Sequence, residues 1–477
     1  MVADIAYLQE QQQSISRMQA LFESQRAAFR KAPMPSADDR IRHLKALKQA
    51  ILKHQQTLIT AISEDFGRRS ADETRLAEIM PSLEGIHYAC KHVKRWMKPS
   101  RRKVGLAFQP AKAEVVYQPV GVVGIIVPWN YPLFLAIGPL VTALSAGNRA
   151  MIKMSESSPR TAAVLEQLLS EIFPEEQVAV VTGEADVGVA FSKLPFDHLL
   201  FTGATSIGRH VMRAAADNLT PVTLELGGKS PAIISADVPL NDAAERIAFG
   251  KGVNAGQTCV APDYILCPRN RVEEFTQALF RQFAQMYPSL RDNADFTQII
   301  NPRQYQRLQG YLSDAAEKGA RILPVNPANE ELGDTRIIAP TLLLDVSDDM
   351  KVMQDEIFGP LLPYDSLDAA LDYIAERPRP LALYYFGYDK AEQRRLMEQT
   401  HAGGMCINDA LLHVAQDDMP FGGIGASGMG HYHGHEGFLT MSKAKGVYIK
   451  QRYNGAKPIY PPYGGALLKL VYKLFLR

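Results

Sequence analysis

The sequence has little cysteine and almost no net charge, and both shortages exclude classes of protein. Only four of its 477 residues are cysteines, with no CxxC pair and no Cys/His cluster, which argues against a disulfide framework or a structural zinc site. The 52 basic and 51 acidic side chains leave a formal net charge of +1, so no global field would recruit nucleic acid or an anionic membrane. We therefore expect a globular protein of a reducing compartment, with no nucleic-acid partner.

The sequence also lacks an apolar leader and an uninterrupted membrane-spanning run. No apolar stretch follows a basic start at the amino terminus, so we predict no secretion signal and expect a cytoplasmic protein. The uncharged segment 127–147 is about as long as a membrane span. It contains Pro128, Pro132 and Pro139, however, and follows the β-branched run GVVGIIV. We interpret it as the end of a buried strand, a turn and a buried helix.

Hydrophobic periodicity predicts an α/β protein. Apolar residues at three-and-four spacing from Ile41 to Ile62 indicate a helical amino-terminal part. From Gly121 onward, short apolar runs alternate with helical stretches, which is typical of an open parallel sheet. These candidate strands are GVVGIIV, RAMIKM, VAVVTG, HLLFTG and PVTLELGG. Because right-handed crossovers place the strands' carboxyl ends at one edge, we expect a nucleotide site there.

A second α/β series follows Cys259. Its candidate strands are DYILCP, TLLLDV, LALYYFG and GGMCIND, separated by helical segments such as 367–377. Cys259 therefore lies near a predicted domain junction, which is a preferred place for ligand sites. Residues 101–119 predict an extended hairpin with a loop around Pro110. Because this hairpin lies outside the first series of strands, we interpret it as an arm that pairs with another subunit.

Three residues could take part in catalysis, and each also has an ordinary structural explanation. Cys259 in NAGQTCVAPD is a candidate nucleophile, but free cysteine is also a common core residue. Glu225 in LELGGKSP ends an apolar strand, where a buried carboxylate could act as a general base or form a salt bridge. Asn130 in PWNYP is fixed between two prolines and could donate to an oxyanion or simply occupy a turn.

Two further stretches could bind a cofactor. FTGATSIG leaves a strand at Gly203 and enters a helix near Thr205, which is an arrangement that can hold a phosphate group. It lacks the GxGxxG pattern, so an ordinary strand-to-helix turn explains it equally well. In KMSE, Lys153 and Glu156 could hydrogen-bond ribose hydroxyls or could be solvated residues at a strand end.

The carboxyl-terminal histidines invite a metal interpretation. His431, His433 and His435 alternate and would share one face of a strand. Zinc sites need several nitrogen, sulfur or carboxylate ligands, and only Glu436 accompanies these histidines in sequence. We therefore predict no metal site.

Six stretches resemble those of the NAD(P)-dependent aldehyde dehydrogenases in order and spacing over nearly the whole chain. They are PWNYP, FTGATSIG, LELGGKSP, NAGQTCVAPDYIL, EIFGP and PFGGIGASGMG. APDY directly after the cysteine and the PFGGIGASGMGHYHG ending are similar to the class 3 branch, most of all to bacterial coniferyl aldehyde dehydrogenases. The resemblance implies an α/β fold with a Rossmann-type cofactor domain, an α/β catalytic domain and a β-hairpin oligomerisation arm. The implied ranges are 1–100 and 120–225 for the cofactor domain, 226–415 for the catalytic domain, 101–119 and 430–450 for the arm, and 451–477 for a tail.

The resemblance also implies roles for individual residues. Cys259 would be the nucleophile, Glu225 the general base and Asn130 the side-chain half of an oxyanion hole. A thiolate adds to the aldehyde, the thiohemiacetal loses a hydride to the nicotinamide, and water hydrolyses the resulting thioester. NAD is the expected cofactor and NADP the alternative, held by Lys153, Glu156, Gly203, Ser206, Gly208, Glu356 and Phe358. Ala204 stands where the family usually has serine, so backbone N–H groups or Ser206 must replace that hydroxyl.

Substrate and assembly are less defined by the sequence. An aromatic, coniferyl-type aldehyde is predicted, with a medium- or long-chain aliphatic aldehyde as the alternative. A cofactor-free cysteine hydrolase would need a base histidine in a recognisable motif, and the sequence offers none. The resemblance implies a homodimer. The carboxyl-terminal stripe of Leu467, Leu470, Val471 and Leu474 is too short to span a membrane. It predicts packing on the dimer or weak contact with a membrane surface.

Overall fold

The amino-terminal part of the chain is helical, as predicted. The computed structural model describes residues 2–105, 108–357, 361–365, 370–450, 452, 454, 457 and 460–476. Its first helices are α1 (Val2–Lys31), α2 (Ala37–Phe66), α3 (Ala71–Thr74) and α4 (Met80–Trp96), with a π-helical turn at Arg75–Ile79 between α3 and α4. Helix α2 extends beyond the predicted 41–62 because Ser36 and Asp39 form a reciprocal capping box at its start.

The first α/β series forms one parallel sheet. Its strands are β3 (Val122–Ile126), β4 (Arg149–Lys153), β5 (Val178–Val181), β6 (His198–Gly203) and β7 (Val222–Leu226). They are parallel in the order β7-β6-β3-β4-β5, which confirms the five predicted strands. The connecting helices are α5 (Phe134–Ala146), α6 (Pro159–Ser170), α7 (Ala185–Ser192) and α8 (Thr205–Ala216). A short strand, β15 (Gly428–Met429), adds to the β7 edge in antiparallel orientation.

The apolar segment 127–147 is confirmed as the end of a strand, a turn and a buried helix. From Leu135 to Ala146, every side-chain-bearing residue of α5 is buried, including Pro139 inside the helix. Among the described residues, no helix combines the length and the hydropathy required to cross a membrane. The apolar character of this segment therefore reflects burial against the first sheet.

The second series forms a seven-stranded sheet in the order β10-β11-β12-β9-β8-β13-β14. The four predicted strands correspond to β9 (Tyr264–Leu266), β11 (Thr341–Leu344), β13 (Ala382–Phe386) and β14 (Gly404–Ile407). Three further strands were not predicted from the sequence, namely β8 (Pro231–Ile234), β10 (Arg321–Pro324) and β12 (Leu361–Asp365). Its helices are α9 (Leu240–Gly252), α10 (Val272–Met286), α11 (Pro302–Glu317), α12 (Lys351–Gln354), α13 (Ala370–Ala375) and α14 (Lys390–Gln399). The helix predicted at 367–377 is shorter among the described residues, which begin again at 370.

A three-stranded antiparallel sheet forms the predicted arm. Strands β1 (Ser100–Arg102) and β2 (Ala111–Pro119) make the hairpin, and β16 (Ser442–Lys450) pairs with β2 along its whole length. The two remaining helices of the described chain are α15 (Gly434–Thr440) and α16 (Ala466–Phe475). Helix α15 contacts β16 on one side and α4 and α5 on the other, so it joins the arm to the helices that pack on the first sheet.

Candidate active site

A cleft of about 760 Å³ lies at the carboxyl ends of β6 and β7, facing the second sheet. It brings together six of the predicted site residues, namely Asn130, Gly203, Ser206, Glu225, Cys259 and Glu356. Lys153, Glu156 and Gly208 do not line it, and Phe358 lies outside the described residues. Open parallel sheets bind their ligands at this edge, so the cleft is in the position expected for a nucleotide and its reaction partner.

Cys259 follows a strained turn at the end of α9. Asn254 and Ala255 have φ values of 53° and 50°, in the left-handed region that residues with a side chain rarely adopt. The turn delivers Cys259 to the cleft as a half-buried free thiol. Burial and the nearby Glu356 and Glu225 carboxylates raise the pKa of this thiol to about 12. At neutral pH the thiol is therefore protonated until a base takes its proton.

Glu225 is a buried carboxyl group next to this thiol. Glu225 belongs to β7, and in the sheet its backbone lies opposite Thr202 of β6 and Gly428 of β15. The residue is 3% exposed. Neither carboxyl oxygen has a hydrogen-bond partner among the described residues. Burial raises the pKa of Glu225 well above its ordinary value, so the group can hold or release a proton near neutral pH. An unsatisfied buried carboxyl in a cleft is a feature of functional sites rather than of structural salt bridges.

Asn130 lies on the loop between β3 and α5 and is tied to the cysteine turn. Its Nδ2 donates to the Gln257 carbonyl at 3.1 Å, and its own carbonyl accepts from Asn254 Nδ2 at 3.0 Å. The next residue, Tyr131, shares a hydrogen bond of 2.7 Å with the Thr258 hydroxyl. Because an amide nitrogen carries two hydrogens, the Asn130 side chain retains a second donor for an oxygen at Cys259.

Helix α8 provides the amino-terminal end that the sequence predicted for phosphate binding. Thr205 and Ser206 line the cleft, and the Thr202 hydroxyl is buried without a partner among the described residues. Gly208 has a different position: a Cβ there would lie 2.6 Å from the Leu226 side chain, so this glycine allows α8 to pack on β7. The free backbone N–H groups of the helix start and the unsatisfied hydroxyl suit the pyrophosphate of a dinucleotide.

Lys153 and Glu156 lie farther along the same sheet edge. Lys153 is buried, and its Nζ donates to the carbonyls of Met154 at 2.6 Å and Gly183 at 2.8 Å. Burial lowers the pKa of Lys153 from its ordinary value. Glu156 is exposed and free to meet a ligand. These positions are compatible with the far, ribose end of a bound dinucleotide.

Glu356 closes the other side of the cleft against a glycine. A Cβ on Gly227 would lie 1.8 Å from Glu356 Oε2, so only glycine permits this close approach. The backbone N–H of Gly228 donates to Glu356, and burial is the largest cause that raises the pKa of Glu356 to about 8. The carboxyl is thus placed where it can accept a hydrogen bond from a sugar hydroxyl in the cleft.

The loop that carries Glu356 is held by two residues that the sequence analysis did not single out. Lys229 donates to the Asp263 carboxylate and to the carbonyls of Val352 at 2.7 Å and Asp355 at 3.1 Å. Asp263 accepts from the Ile357 backbone N–H at 3.0 Å. Both residues stood within the quoted motifs LELGGKSP and APDY, so the charged pair was the signal that could have identified them.

An aromatic cluster made of Phe134, Phe421, Tyr432 and His433 lies outside the lining of the cleft, and Phe134, Tyr432 and His433 line a separate cavity of about 30 Å³. The rings of Phe421 and His433 stack with centroids 5.1 Å apart, and Tyr432 packs edge-on to His433 at 4.3 Å. Burial, Glu225 and Cys259 all raise the pKa of Tyr432, which places its hydroxyl near both groups. This hydroxyl and both His433 nitrogens are buried without partners among the described residues.

The three alternating histidines do not share a strand face, because no strand forms there. His431 is exposed, His433 is buried just before α15, and His435 lies inside α15 and stacks on Trp96. The helix begins at Gly434, which has a φ of 51°, so the chain turns before a strand can form. Burial lowers the pKa of His433 to about 4, which keeps this ring neutral. No group of metal-ligating side chains occurs in the part of the chain that the structure describes.

Comparisons with known proteins agree with this geometry. The model of the aldehyde dehydrogenase family matches residues 5–447. The chain is 68% identical, over all of both chains, to a probable coniferyl aldehyde dehydrogenase of Pseudomonas aeruginosa. It is 48% identical to the coniferyl aldehyde dehydrogenase of a Pseudomonas species, over 87% of this chain and 88% of the relative.

Solved structures give the same result. The substrate-bound AldH of Staphylococcus aureus is 37% identical with a TM-score of 0.90, over 96% of this chain and 99% of that one. A Mycobacterium tuberculosis aldehyde dehydrogenase complexed with NAD+ is 31% identical with a TM-score of 0.81, over 91% and 90% of the two chains. The similarity therefore covers both sheets and the cleft between them.

Proposed function

The chain belongs to the aldehyde dehydrogenase family and is an NAD(P)-dependent enzyme, and from this premise we propose that it oxidises an aromatic, coniferyl-type aldehyde to its acid. The observation that carries the substrate proposal is the aromatic cluster with its unsatisfied polar atoms, of which the Tyr432 hydroxyl lies near Cys259 and Glu225. The relatives named for coniferyl aldehyde support the same choice. A medium- or long-chain aliphatic aldehyde is the alternative.

The roles that we propose for the site residues are supported by their positions in the cleft. Once the Cys259 thiol has released its proton to solvent, the thiolate attacks the aldehyde carbon, and the spare donor of Asn130 stabilises the oxyanion that forms. When bound, NAD accepts the hydride that the substrate carbon loses. Glu225 then takes a proton from water, which hydrolyses the thioester on Cys259 and releases the acid. Glu356 orients one ribose of the cofactor, while Lys153 and Glu156 bind the other.

The division of labour between the sheets is part of this proposal. The unit around the six-stranded sheet, residues 1–100 and 120–225, binds the cofactor and supplies Asn130 and Glu225. The unit around the seven-stranded sheet, residues 226–415, supplies Cys259 and Glu356. Its support is that the cleft draws residues from both units.

An aromatic substrate with polar ring groups could form hydrogen bonds with the polar atoms of the aromatic cluster that lack partners among the described residues. The aromatic rings of this cluster offer faces on which a substrate ring can stack, and such stacking contributes about 0.5–1.5 kcal/mol per pair of rings. The Tyr432 hydroxyl and the neutral His433 ring can donate to or accept from ring oxygens. Leaving such groups unsatisfied costs about 1–3 kcal/mol each, and an alkyl chain would not recover that free energy.

A substrate panel with coniferyl aldehyde, cinnamaldehyde and octanal tests this choice. We expect coniferyl aldehyde to have a kcat/KM at least about tenfold above that of cinnamaldehyde, because one recovered hydrogen bond contributes about 1.4 kcal/mol. His433→Phe should remove this preference by lowering only the coniferyl value. His435→Phe is the matched control, since His435 is two residues further along the chain and lines neither the cleft nor the cavity that His433 lines. A preference for octanal would select the aliphatic alternative.

The cofactor preference depends on Glu156. Its exposed carboxylate can accept from a ribose 2'-hydroxyl but would repel a 2'-phosphate, so we expect NAD to be preferred over NADP. Glu156→Gln should raise kcat/KM with NADP about tenfold and change the NAD value less. Glu176→Gln is the control. Glu176 is also exposed, but it lies just before β5, at the amino-terminal ends of the strands and away from the cofactor end. A wild-type enzyme that favours NADP would contradict this prediction.

A cytoplasmic homodimer is the proposed assembly. All four cysteines are free, which suits a reducing compartment. Among the described residues, the outer edges of β1 and β16 pair with no further strand, and β16 exposes Tyr448 and Ile449. Exposed strand edges are sites where another chain can pair. Sedimentation velocity should give a dimer, and deletion of residues 101–110 should give monomers.

The carboxyl-terminal helix α16 has two proposed contacts. Leu467, Leu470 and Leu474 are exposed in the single chain, while Leu468 is buried. Packing on the dimer is favoured, because a stripe this short buries little area in a lipid surface and would bind it weakly. Co-sedimentation with anionic vesicles at low salt, with and without residues 466–477, distinguishes the two contacts.

A further inference from the structure

A fully buried ion pair underlies the loop that carries Asn130. Arg69 Nη1 lies 2.6 Å from Glu78 Oε1, and neither side chain is exposed. Burying two charges costs several kcal/mol per ion, and a pair of apolar residues would often be at least as stable. The pair therefore calls for a reason other than stability.

Glu78 reaches its position through an irregular helix. It lies in the π-helical turn Arg75–Ile79, and such turns occur frequently at functional sites. Its Oε2 accepts the backbone N–H groups of Leu133 at 2.7 Å and Phe134 at 3.0 Å. One carboxylate thus fixes the start of α5 and the end of the loop that carries Asn130.

Arg69 holds the other end of the same loop. Its Nη1 also donates to the Asn130 carbonyl at 3.3 Å, and its guanidinium lies 4.8 Å from the centre of the Tyr131 ring. Glu73 accepts from Arg69 Nε at 3.1 Å and fixes the orientation of the planar group. The ion pair therefore contacts the loop at Asn130, Tyr131, Leu133 and Phe134.

These contacts determine where the Asn130 amide points. Tyr131 is bonded to Thr258, the neighbour of Cys259, so the loop and the cysteine turn form one connected unit. We propose that Arg69 and Glu78 are positioning residues that hold the Asn130 amide at the oxyanion formed on Cys259. This inference rests on the proposed role of Asn130. A misplacement of about 1 Å in such a group can cost on the order of 10²-fold in rate.

A double-mutant cycle with Glu78→Gln and Asn130→Ala tests the inference. The two readouts are single-turnover formation of NADH and hydrolysis of p-nitrophenyl acetate without cofactor, since acylation of Cys259 by the ester also passes through an oxyanion. We expect Asn130→Ala to lower both rates about 10²-fold or more and Glu78→Gln to lower both about tenfold or more, with KM unchanged. The double variant should be no slower than Asn130→Ala, because Glu78 acts through Asn130.

The outcomes separate this inference from the proposed function. If the two losses multiply in the double variant, Glu78 acts independently and the inference is wrong, while the role of Asn130 stands. If Asn130→Ala keeps full rates, the proposed oxyanion role itself fails and the inference fails with it.

Two further variants keep folding apart from positioning. The apolar replacement Arg69→Met with Glu78→Met removes both charges, so it should keep the melting temperature near wild type and still lose rate. Arg68→Gln is the matched control, because Arg68 donates to the carbonyls of Leu290, Arg291 and Phe296 and not to the loop. Normal rates in the folded Met/Met variant, or an equal loss in Arg68→Gln, would overturn the inference.

Discussion

Cys259→Ser is expected to abolish aldehyde oxidation while NAD still binds. A serine hydroxyl is far less acidic than a thiol, and loss of a covalent nucleophile typically lowers kcat on the order of 10⁴-fold or more. The cofactor contacts proposed for α8, Lys153 and Glu356 do not involve the sulfur, so NAD affinity should be unchanged. NADH absorbance measures the first quantity and calorimetric titration with NAD the second.

Cys90→Ser is the control for this substitution. Cys90 is also a half-buried free thiol, but it lies on α4 and does not line the cleft. Its activity should equal that of the wild type. Substantial turnover in Cys259→Ser, or an equal loss in Cys90→Ser, would remove Cys259 as the nucleophile.

Glu225→Gln is expected to slow thioester hydrolysis far more than the step that produces NADH. The amide cannot take a proton from water, and loss of a general base typically costs about 10²–10⁴-fold. Steady-state turnover should therefore fall while a burst of NADH, close to one per subunit, precedes it. Rapid mixing with absorbance detection measures both phases.

The pH dependence of the wild type should report the same group. Because burial raises the pKa of Glu225, the base form appears only at pH values well above the ordinary carboxyl range, and steady-state turnover should rise with pH until Glu225 is ionised. Asp197→Asn is a suitable control, since burial also raises the pKa of the Asp197 carboxyl. Asp197 lies at the amino-terminal ends of the strands, where it accepts from the Val122 backbone N–H, and the cleft lies at their carboxyl ends. If burst and steady state fell in proportion in Glu225→Gln, Glu225 would act at another step.

The regular parts of the fold could be predicted because their signals are local. Runs such as GVVGIIV and HLLFTG are dense in β-branched or aromatic apolar residues, and each became a strand of the first sheet. Strand β8, PAII, was missed although it is as long as the predicted strands β5 and β11. Strand β15 consists of Gly428 and Met429 in a glycine-rich run, and it exists only because it pairs with β7 across 200 residues of chain. No local pattern carries that information.

The site residues also divide into those that local motifs mark and those that tertiary contacts place. Motifs singled out Cys259, Glu225 and Asn130, and the structure brings all three into one cleft. Arg69 and Glu78 were not predicted, because their contacts with the loop at Asn130 are set by tertiary packing of distant segments. His431, His433 and His435 would share a face only on a strand, and Gly434 starts a helix there. Tyr432 and His433 are thus placed in the aromatic cluster by tertiary packing.

The central claim is that this chain oxidises an aldehyde through a thioester on Cys259 that Glu225 resolves. Intact-protein mass spectrometry of Glu225→Gln, after mixing with NAD and coniferyl aldehyde, tests it most directly. The account predicts a mass increase of one feruloyl group per subunit, located by peptide mapping on Cys259 and formed in proportion to NADH. NADH formed without any acylated protein, or an acyl group on another residue, would contradict it.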